Sequence, residues 1–375
     1  MPRGFGILLV RRFRFAVLLV SVATLSGCAS RPGPSALVTV TGDVPGAQQV
    51  TVLAVTTRGR AEKNTNVYTS VRSPERNFAR FTLSIPPDHK RTAIELPKGK
   101  PDPRHSFAVT SQAVLSEAEF GRAVSPAREG PVGLFVHGYN TNFQEALFRL
   151  AQMSADSGLL ARPVLFAWGS QGSLGSYIAD KEAATYSRDY LAATMAELAR
   201  GRKKGEVVVI AHSMGGWLTV EAIRQLKLQG RDDVVSRLRV ILAAPDIDVD
   251  VFRSQMQVIG KLDPPLTILV SADDRALQIS QLINESNARV GAISIDTPGL
   301  QEVAAAANVR IIDISRVDNP DATKHNRYAE VNEIYPYLLA ERRKSVGETG
   351  ALVLDTAGKT LTSPLRLVSK VLQQP

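Results

Sequence analysis

The stretch "VVVIAHSMGGWLTVEAI", residues 207–223, decides the fold. A run of branched apolar residues, typical of a strand buried on both faces, stops at Ser213, and apolar residues at helical spacing follow at once. A strand that turns sharply into a helix lifts the turn side chain clear of the sheet, and the residues two positions away must be small. Here they are Ala211 and Gly215. The pattern predicts a nucleophile elbow at Ser213, the alternative being a serine that only caps the helix.

The same alternation of strand and helix continues on both sides of this stretch. Short apolar runs alternate with amphipathic segments that have a glycine at or near their end; the runs are "VGLFV", "PVLFAW", "RVILAA", "LTILVS" and "VRIIDIS". This order predicts a doubly wound, mostly parallel α/β sheet over residues 131–345, closed by a helix in "YAEVNEIYPYLLAERRK". Residues 37–130 alternate apolar and polar positions, which predicts antiparallel strands. We expect one domain over 37–345 and a loosely attached tail over 346–375.

The N-terminus predicts export and a lipid anchor. Residues 1–27 combine a basic flank with an apolar core of signal-peptide length. Their end, "LSGC", resembles the bacterial lipobox, which implies a diacylglyceryl group, with palmitate-type acyl chains, on the Cys28 sulfur and cleavage before this residue. A Pro/Gly spacer over 28–36 follows. The alternatives are an uncleaved anchor helix and, from Arg11-Arg12, the twin-arginine route.

Two further features bear on location and chemistry. Residue 29 is Ala rather than the Asp that commonly retains lipoproteins in an inner membrane, so the resemblance to lipoproteins implies an outer-membrane location where the envelope has two membranes. Cys28 is the only cysteine, which excludes an intramolecular disulfide and any cysteine nucleophile or cysteine metal site elsewhere in the chain.

The composition excludes several classes of protein. The chain has 375 residues, 44% hydrophobic and 22% charged, which is typical of a globular protein rather than a disordered or many-pass membrane one. Its net charge of +9 falls to +5 without the four arginines of the predicted signal peptide. No block of Lys and Arg follows a nucleic-acid pattern, so we expect no nucleic-acid partner.

The remaining catalytic groups follow from chain order and from the helix start. The Met214 N–H begins a helix and is suited to an oxyanion, and the Tyr139 N–H after "VGLFVHG" is the second candidate donor, unless Gly138 is a plain strand-to-loop glycine. In this fold the order is Ser, acid, His, and of five histidines only His325 follows Ser213. A surface histidine is the alternative.

The acid is less tightly specified. "LTILVSADDRAL" ends a strand with two carboxylates, of which we prefer Asp274, with Asp273 and Asp246 as alternatives. "PDIDVDVF", residues 245–252, starts like a calcium loop, but Val251 and Gln257 stand where Gly and Glu are required. We therefore expect a loop with solvated acids there, with no metal and no organic cofactor.

These segments together resemble the α/β-hydrolase superfamily, and within it the bacterial branch called "domain of unknown function 900". The resemblance rests on "RFTLSIPPDHK", "LFVHGYNTNFQEAL", "LFAWGSQGSLGSYIADKEAATYSRDYL", "VVVIAHSMGGWLTVEAIRQL", "LAAPDIDVDVF", "VSADDRAL" and "KHNRY", from about residue 50 to about 340. It implies a serine hydrolase fold with Ser213, Asp274 and His325 at the matching positions. The family tends to have Pro where this chain has Gly169.

The expected activity is hydrolysis of a carboxylic ester or related acyl bond of a small molecule or lipid. Activity is expected to decline below about pH 6.5, where an ordinary histidine becomes protonated. A peptidase or acyltransferase would share the same three residues. A non-catalytic envelope protein that uses the fold as an interaction scaffold is the alternative from another class.

Overall fold

The computed structural model describes residues 31–42, 44–97, 99–125, 130–157, 162–283, 288–318, 321–333, 351–355 and 360–362. The chain divides into two compact units, Met1–Pro32 and Gly33–Pro375. Only two residues of the first unit are described, so the predicted signal peptide and Cys28 lie outside the described residues. Within the described ranges, no helix is both long and apolar enough to cross a membrane.

One sheet organises the second unit. In the described residues it has eleven strands, β1 Gln48–Arg60, β2 Tyr68–Ile85, β3 Ala108–Leu115, β4 Val132–Val136, β5 Pro163–Ala167, β6 Val207–His212, β7 Leu238–Ala243, β8 Leu266–Val270, β9 Val309–Arg316, β10 Ala351–Asp355 and β11 Thr360–Thr362. Their order is β11-β10-β9-β8-β7-β6-β4-β5-β1-β2-β3. The pairs from β10 to β1 are parallel. The outer pairs β1–β2, β2–β3 and β10–β11 are antiparallel. The predicted mostly parallel sheet with N-terminal antiparallel strands is confirmed.

Helices connect the parallel strands. In the described residues they are α1 Glu117–Ala123, α2 Phe143–Ser157, α3 Tyr177–Ala199, α4 Met214–Leu228, α5 Asp232–Val235, α6 Val249–Ile259, α7 Arg275–Ile283 and α8 Leu300–Ala307. Short 3-10 helices lie at Pro34–Leu37, Val290–Ala292 and Arg327–Glu333.

The sheet is covered on both faces, which explains why its central strands are continuous apolar runs. On β4, Leu134 and Val136 belong to one apolar core, which also contains Leu218 of α4. Phe135 points the other way and joins a second core with Phe148 of α2. Because successive strand side chains point to opposite faces, both faces of β4 are buried. This is the doubly wound arrangement.

The C-terminal part differs from the predicted helix. "YAEVNEIYPYLLAERRK" was expected to form one helix, but Arg327–Glu333 is a 3-10 helix, and residues 334–350 lie outside the described part. Pro336 disfavours a regular helix over this stretch, because it restricts the residue before it and cannot donate a hydrogen bond to residue 332. Within the predicted tail, β10 pairs with β9 and extends the sheet. The domain boundaries at 37, 130 and 345 remain predictions.

The strand order reverses at β4. The chain leaves β4 for β5 on one side and then returns to β6 on the other side of β4. Ligands of open α/β sheets bind at the carboxyl ends of strands at such a reversal. Ser213 follows β6 and Tyr139 follows β4, so both lie at this edge.

Candidate active site

Ser213 occupies a strained turn between β6 and α4. Its backbone has φ 54° and ψ −123°, a region that residues with a side chain rarely adopt. The turn is held by hydrogen bonds, because the Ser213 N–H donates to the Ala243 carbonyl at 3.0 Å and its carbonyl accepts from Asp246 at 3.1 Å and Gly216 at 2.9 Å. The hydroxyl makes no capping bond to α4. This argues against the interpretation of Ser213 as a helix cap.

The small residues around Ser213 are required by close backbone contacts. A Cβ on Gly215 would lie 2.3 Å from the His137 carbonyl oxygen and 2.6 Å from that of Val136. A Cβ on Gly138 would lie 3.0 Å from Cβ of Ser213. The start of α4 and the loop after β4 therefore touch at the serine. The two predicted oxyanion donors, Met214 and Tyr139, belong to these two segments.

His325 contacts one of the three candidate acids. Its Nδ1 lies 2.6 Å from Oδ2 of Asp274, whose side chain is fully buried. The other carboxylate oxygen of Asp274 accepts the Leu277 N–H at 3.0 Å. Two hydrogen bonds therefore fix the carboxylate so that it orients the imidazole ring.

Asp273 points away from His325 and into a separate ion-pair cluster. Its Oδ2 lies 2.6 Å from the Lys324 ammonium and accepts from Arg327 Nη2 at 3.1 Å, and its Oδ1 accepts from the Ser271 hydroxyl at 2.8 Å. The hydrogen bond from Arg327 has the largest effect, and together these partners hold the pKa of Asp273 well below its usual range. Its contacts anchor the loops that carry Asp274 and His325.

Asp246 lies in a third network, and the expectation that it is solvated was wrong. It is buried, accepts from the hydroxyls of Tyr177 at 2.7 Å and Ser280 at 2.8 Å, and pairs with Arg289 at 3.3 Å. A buried carboxylate is stable only when such partners replace water. Asp248 is the N-cap of α6, which accounts for the start of "PDIDVDVF" without a metal.

The surroundings of His325 shift its basicity upward. Burial by itself lowers the pKa of this imidazole, but the hydrogen bond and charge of Asp274, together with the charges of Asp246 and Asp321, outweigh it and raise the pKa above 6.5. An imidazole of raised pKa is a stronger proton acceptor once it is neutral.

His212 contacts both the backbone and the ring of His325. The His212 Nε2–H donates to the His325 carbonyl at 3.2 Å, and the ring centroids lie 4.5 Å apart. Tyr328 stacks on His212 with centroids 4.2 Å apart. Burial and the neighbouring His325 keep the pKa of His212 well below its usual range, so its ring is neutral. Between the two described side chains of Ser213 and His325 no hydrogen bond is formed in this structure.

The loop after β4 is held by buried aromatic and polar contacts. The Trp168 Nε1–H donates to the His137 carbonyl at 2.7 Å, and the two rings stack with centroids 4.9 Å apart. Burial, with the nearby Arg58, lowers the pKa of His137 to about 3, so this ring is neutral. The Tyr139 hydroxyl donates to the Leu174 carbonyl. The loop is thus fixed at both sides of Gly138.

Asp180 is a positioning residue that the sequence did not reveal. Its fully buried carboxylate accepts from the N–H groups of Asn140 at 3.2 Å and Gln171 at 2.6 Å, and from the Ser170 hydroxyl at 2.6 Å. It therefore ties the loop after β4 to the loop after β5. The available signal was an acid in the first turn of a predicted helix, with an uncharged residue, Ala184, four positions later where a basic partner would stand.

Gly169, where the chain departs from the family tendency, lies two residues after the end of β5. A Cβ at this position would lie 3.2 Å from the Ser70 carbonyl oxygen of β2. A larger residue would require that strand to shift by a few tenths of an ångström. Gly169 therefore lets the loop that contacts Asp180 approach β2 closely.

The described residues contain no cluster of three or more histidine, cysteine or acidic side chains that could hold a metal ion. The polar groups at the strand ends are instead paired with one another, as the three acids above show.

Comparison with known proteins places the chain in a family. Among solved structures, it is similar to a provisional hydrolase from Agrobacterium vitis S4, with 13% identity and a TM-score of 0.33 over 76% of this chain and 96% of the other. It is also similar to an esterase from Pyrobaculum calidifontis, with 12% identity and a TM-score of 0.28 over 75% and 72%. The naproxen esterase of Bacillus subtilis matches with 12% identity and a TM-score of 0.26 over 84% and 92%. Similarities this distant carry no argument about function.

The sequence family gives the stronger result. No curated protein matches the chain. Residues 112–342, which include the loop after β4, Ser213, Asp274 and His325, match the family described as "alpha/beta hydrolase of unknown function (DUF900)". The match covers more than half of the chain. The protein therefore belongs to the DUF900 family of α/β hydrolases.

Proposed function

We propose that this α/β hydrolase is a serine hydrolase that cleaves a carboxylic ester or related acyl bond, with Ser213, His325 and Asp274 as its catalytic residues. The observation that carries the proposal is the buried 2.6 Å bond between His325 and Asp274 at the same sheet edge as the strained Ser213. A nucleophile, a base and a group that orients the base are the parts that acyl transfer requires.

In the proposed reaction, His325 Nε2 takes the proton of Ser213 Oγ as that oxygen attacks the acyl carbon. The developing oxyanion accepts hydrogen bonds from the N–H groups of Met214 and Tyr139. His325 then gives the proton to the leaving group. In the second half, His325 takes a proton from water as the water attacks the acyl carbon, and it returns this proton to Ser213 Oγ as that oxygen leaves. Asp274 stabilises the imidazolium that forms in each half. The hydrogen bond from Ser213 to His325 forms when substrate closes the site, since such bonds are commonly loose in empty enzymes.

The test is turnover of p-nitrophenyl esters and labelling by a fluorophosphonate, read by mass spectrometry. Ser213→Ala should lose both signals together. Ser236→Ala, at an exposed serine after α5, is the matched control and should keep both. Labelling of Ser213 without ester turnover would move the substrate to the peptidase or acyltransferase class. A folded wild-type protein with neither signal would favour the scaffold interpretation and refute the proposal.

The second part of the proposal concerns location. We expect Cys28, acylated after cleavage of residues 1–27, to hold the domain at a membrane of the cell envelope, the outer one where two exist. Several acyl chains on one residue anchor firmly, whereas one chain binds weakly. Incorporation of labelled palmitate into the wild type but not into Cys28→Ala, with a shift of the variant to the soluble fraction, is the expected result. Membrane association that persists in the variant would mean another anchor.

A further inference from the structure

The loop that carries His325 is organised by one side chain, that of Asp321. Asp321 is half-buried and lies four residues before His325, in the connection between β9 and the 3-10 helix Arg327–Glu333. Its Oδ2 accepts the N–H groups of His325 and Asn326, each at 3.2 Å. Its Oδ1 accepts the Thr323 N–H at 3.0 Å. Three backbone N–H groups of the loop therefore converge on one carboxylate.

Further hydrogen bonds to Asp321 hold a strained residue in this loop. The Thr323 hydroxyl donates to Oδ2 of Asp321 at 2.7 Å, and the Asn326 side-chain amide donates to the same oxygen at 3.0 Å. Between these two residues, Lys324 has φ 60°, a region that residues with a side chain rarely adopt. Such strain persists only where surrounding contacts determine the conformation. Asp321 supplies those contacts on both sides of Lys324.

His325 is consequently fixed at three points. Asp321 accepts its backbone N–H, and the His212 Nε2–H donates to its carbonyl at 3.2 Å. The ring nitrogen Nδ1 lies 2.6 Å from the Asp274 carboxylate. A catalytic side chain must be held within about 0.5 Å of its productive geometry. Asp321 provides part of this control through the backbone, whereas Asp274 provides it through the ring.

The charge of Asp321 acts on the same ring. The charged and titratable groups around His325 come from β6, from the loops after β7 and β8, and from its own loop: His212, Asp246, Asp274, Lys324 and Asp321. His212 is neutral because burial lowers its pKa, and the Lys324 ammonium pairs with Asp273 at 2.6 Å. Burial lowers the pKa of His325, and the three carboxylates of Asp274, Asp246 and Asp321 raise it, in that order of effect. The negative charge of Asp321 therefore favours the imidazolium.

We propose that Asp321 is a positioning residue of the hydrolase: it holds the backbone of His325 in the catalytic geometry, and its charge stabilises the imidazolium that forms when His325 takes the Ser213 proton. The inference rests on the proposed function and adds a residue to its machinery. A residue that only shapes the turn would need the hydrogen bonds and not the charge. The two roles can therefore be separated by experiment.

The first test follows the titration of His325 by NMR, on the full chain labelled with ¹³C at histidine Cε1. The chain has five histidines, and His325→Gln identifies the His325 resonance by its loss. Asp321→Asn keeps an acceptor oxygen but removes the charge, so the titration midpoint of His325 should move to lower pH. Asp296→Asn, at an exposed acid before α8, is the matched control and should keep the wild-type midpoint. An unchanged midpoint in Asp321→Asn would overturn the proposal.

The second test measures kcat/KM for p-nitrophenyl acetate, with thermal melts to confirm folding. Asp321→Ala removes both the acceptor oxygens and the charge, so kcat/KM should fall about 100-fold, the loss expected when a catalytic group is misplaced by about 1 Å. Asp321→Asn should lose less, because one acceptor oxygen remains. A wild-type kcat/KM in folded Asp321→Ala overturns the positioning role, and if that variant does not fold, the titration in Asp321→Asn decides. Absence of turnover in the wild type, with the shifted His325 midpoint present, would refute the proposed function while supporting the action of Asp321 on His325.

Discussion

Replacing Gly215 by alanine tests whether the contact between α4 and β4 sets the geometry of the candidate active site. Gly215 is the second residue of α4, and a Cβ there would lie 2.3 Å from the His137 carbonyl oxygen and 2.6 Å from that of Val136. Ordinary contacts of a Cβ begin at 3.4 Å. Both opposing atoms are backbone, so neither can rotate away. The helix and the strand must separate by about 1 Å.

The cost of this shift falls on both stability and catalysis. Overpacking of this kind destabilises by about 1–3 kcal/mol, and the better helix propensity of alanine returns about 1 kcal/mol, which leaves a net loss of up to about 2 kcal/mol. The catalytic effect is larger in proportion, because the shift separates the start of α4, with Ser213 and the Met214 N–H, from the loop that carries Tyr139. A misplacement of about 1 Å costs on the order of 100-fold in rate.

Gly216→Ala is the matched control for this prediction. It gives the same propensity gain, but its Cβ would lie 3.1 Å from Cβ of the Pro245 side chain, which requires a shift of only a few tenths of an ångström. We expect the rate of fluorophosphonate labelling to fall about 100-fold in Gly215→Ala and less than about fivefold in Gly216→Ala, with thermal melts to confirm folding. Equal labelling rates in folded Gly215→Ala and wild type would refute the argument.

Three further predictions concern the acid, the oxyanion loop and the pH profile. Because Asp274 raises the pKa of His325, kcat/KM should decline as pH falls through a value above 6.5, where His325 becomes protonated. A decline of kcat/KM centred below pH 6 would contradict this prediction. Asp274→Asn should lower kcat/KM by about 10⁴-fold and move the acidic decline of the pH profile to lower pH. Asp273→Asn removes the carboxylate that pairs with Arg327 and should lower kcat/KM by less than about tenfold. The reverse order of effects would assign the role of the catalytic acid to Asp273. In Asp180→Asn one acceptor oxygen remains where two carboxylate oxygens bind three donors, so ester turnover should fall by about 10- to 100-fold. Asp189→Asn, at an exposed position on α3, is the control. Unchanged turnover in Asp180→Asn would show that the loop after β4 does not need these hydrogen bonds.

The parts of the fold that the sequence predicted are those set by local pattern. The six apolar runs from "VGLFV" to "VRIIDIS" became β4 to β9, because a strand buried on both faces needs a continuous apolar run. The expected helix after His325 failed in its first residues, where the chain forms a 3-10 helix at Arg327–Glu333. There the Arg327 side chain bonds Asp273 and the Val317 carbonyl, contacts that bind this segment to other loops and that periodicity does not encode.

The candidate site residues also divide into those that local sequence patterns indicate and those that depend on distant partners. Ser213 and His325 are candidates that the strand-to-helix context and the chain order indicate without any knowledge of tertiary contacts. The acid stayed open among Asp274, Asp273 and Asp246, because the choice depends on partners that are distant in the chain. His325 contacts Asp274, Arg327 contacts Asp273, and Tyr177 contacts Asp246. Asp180 was missed since its three donors come from two loops that only the folded sheet brings together.

Two glycines that look unrelated in the sequence describe a single contact. Gly138 follows β4 and Gly215 follows the elbow, and each taken alone is a weak signal. A Cβ on Gly138 would lie 3.0 Å from Cβ of Ser213, and a Cβ on Gly215 would lie 2.3 Å from the carbonyl oxygen of His137. Gly138 therefore leaves space for the segment that contains Gly215, and Gly215 leaves space for the segment that contains Gly138. The strands before them, β4 and β6, are adjacent in the sheet although β5 lies between them in the chain. Read as a pair, "HG" after one strand and "S-x-G" after another would therefore have predicted this strand adjacency, and with it the position of the loop that carries Tyr139 beside Ser213.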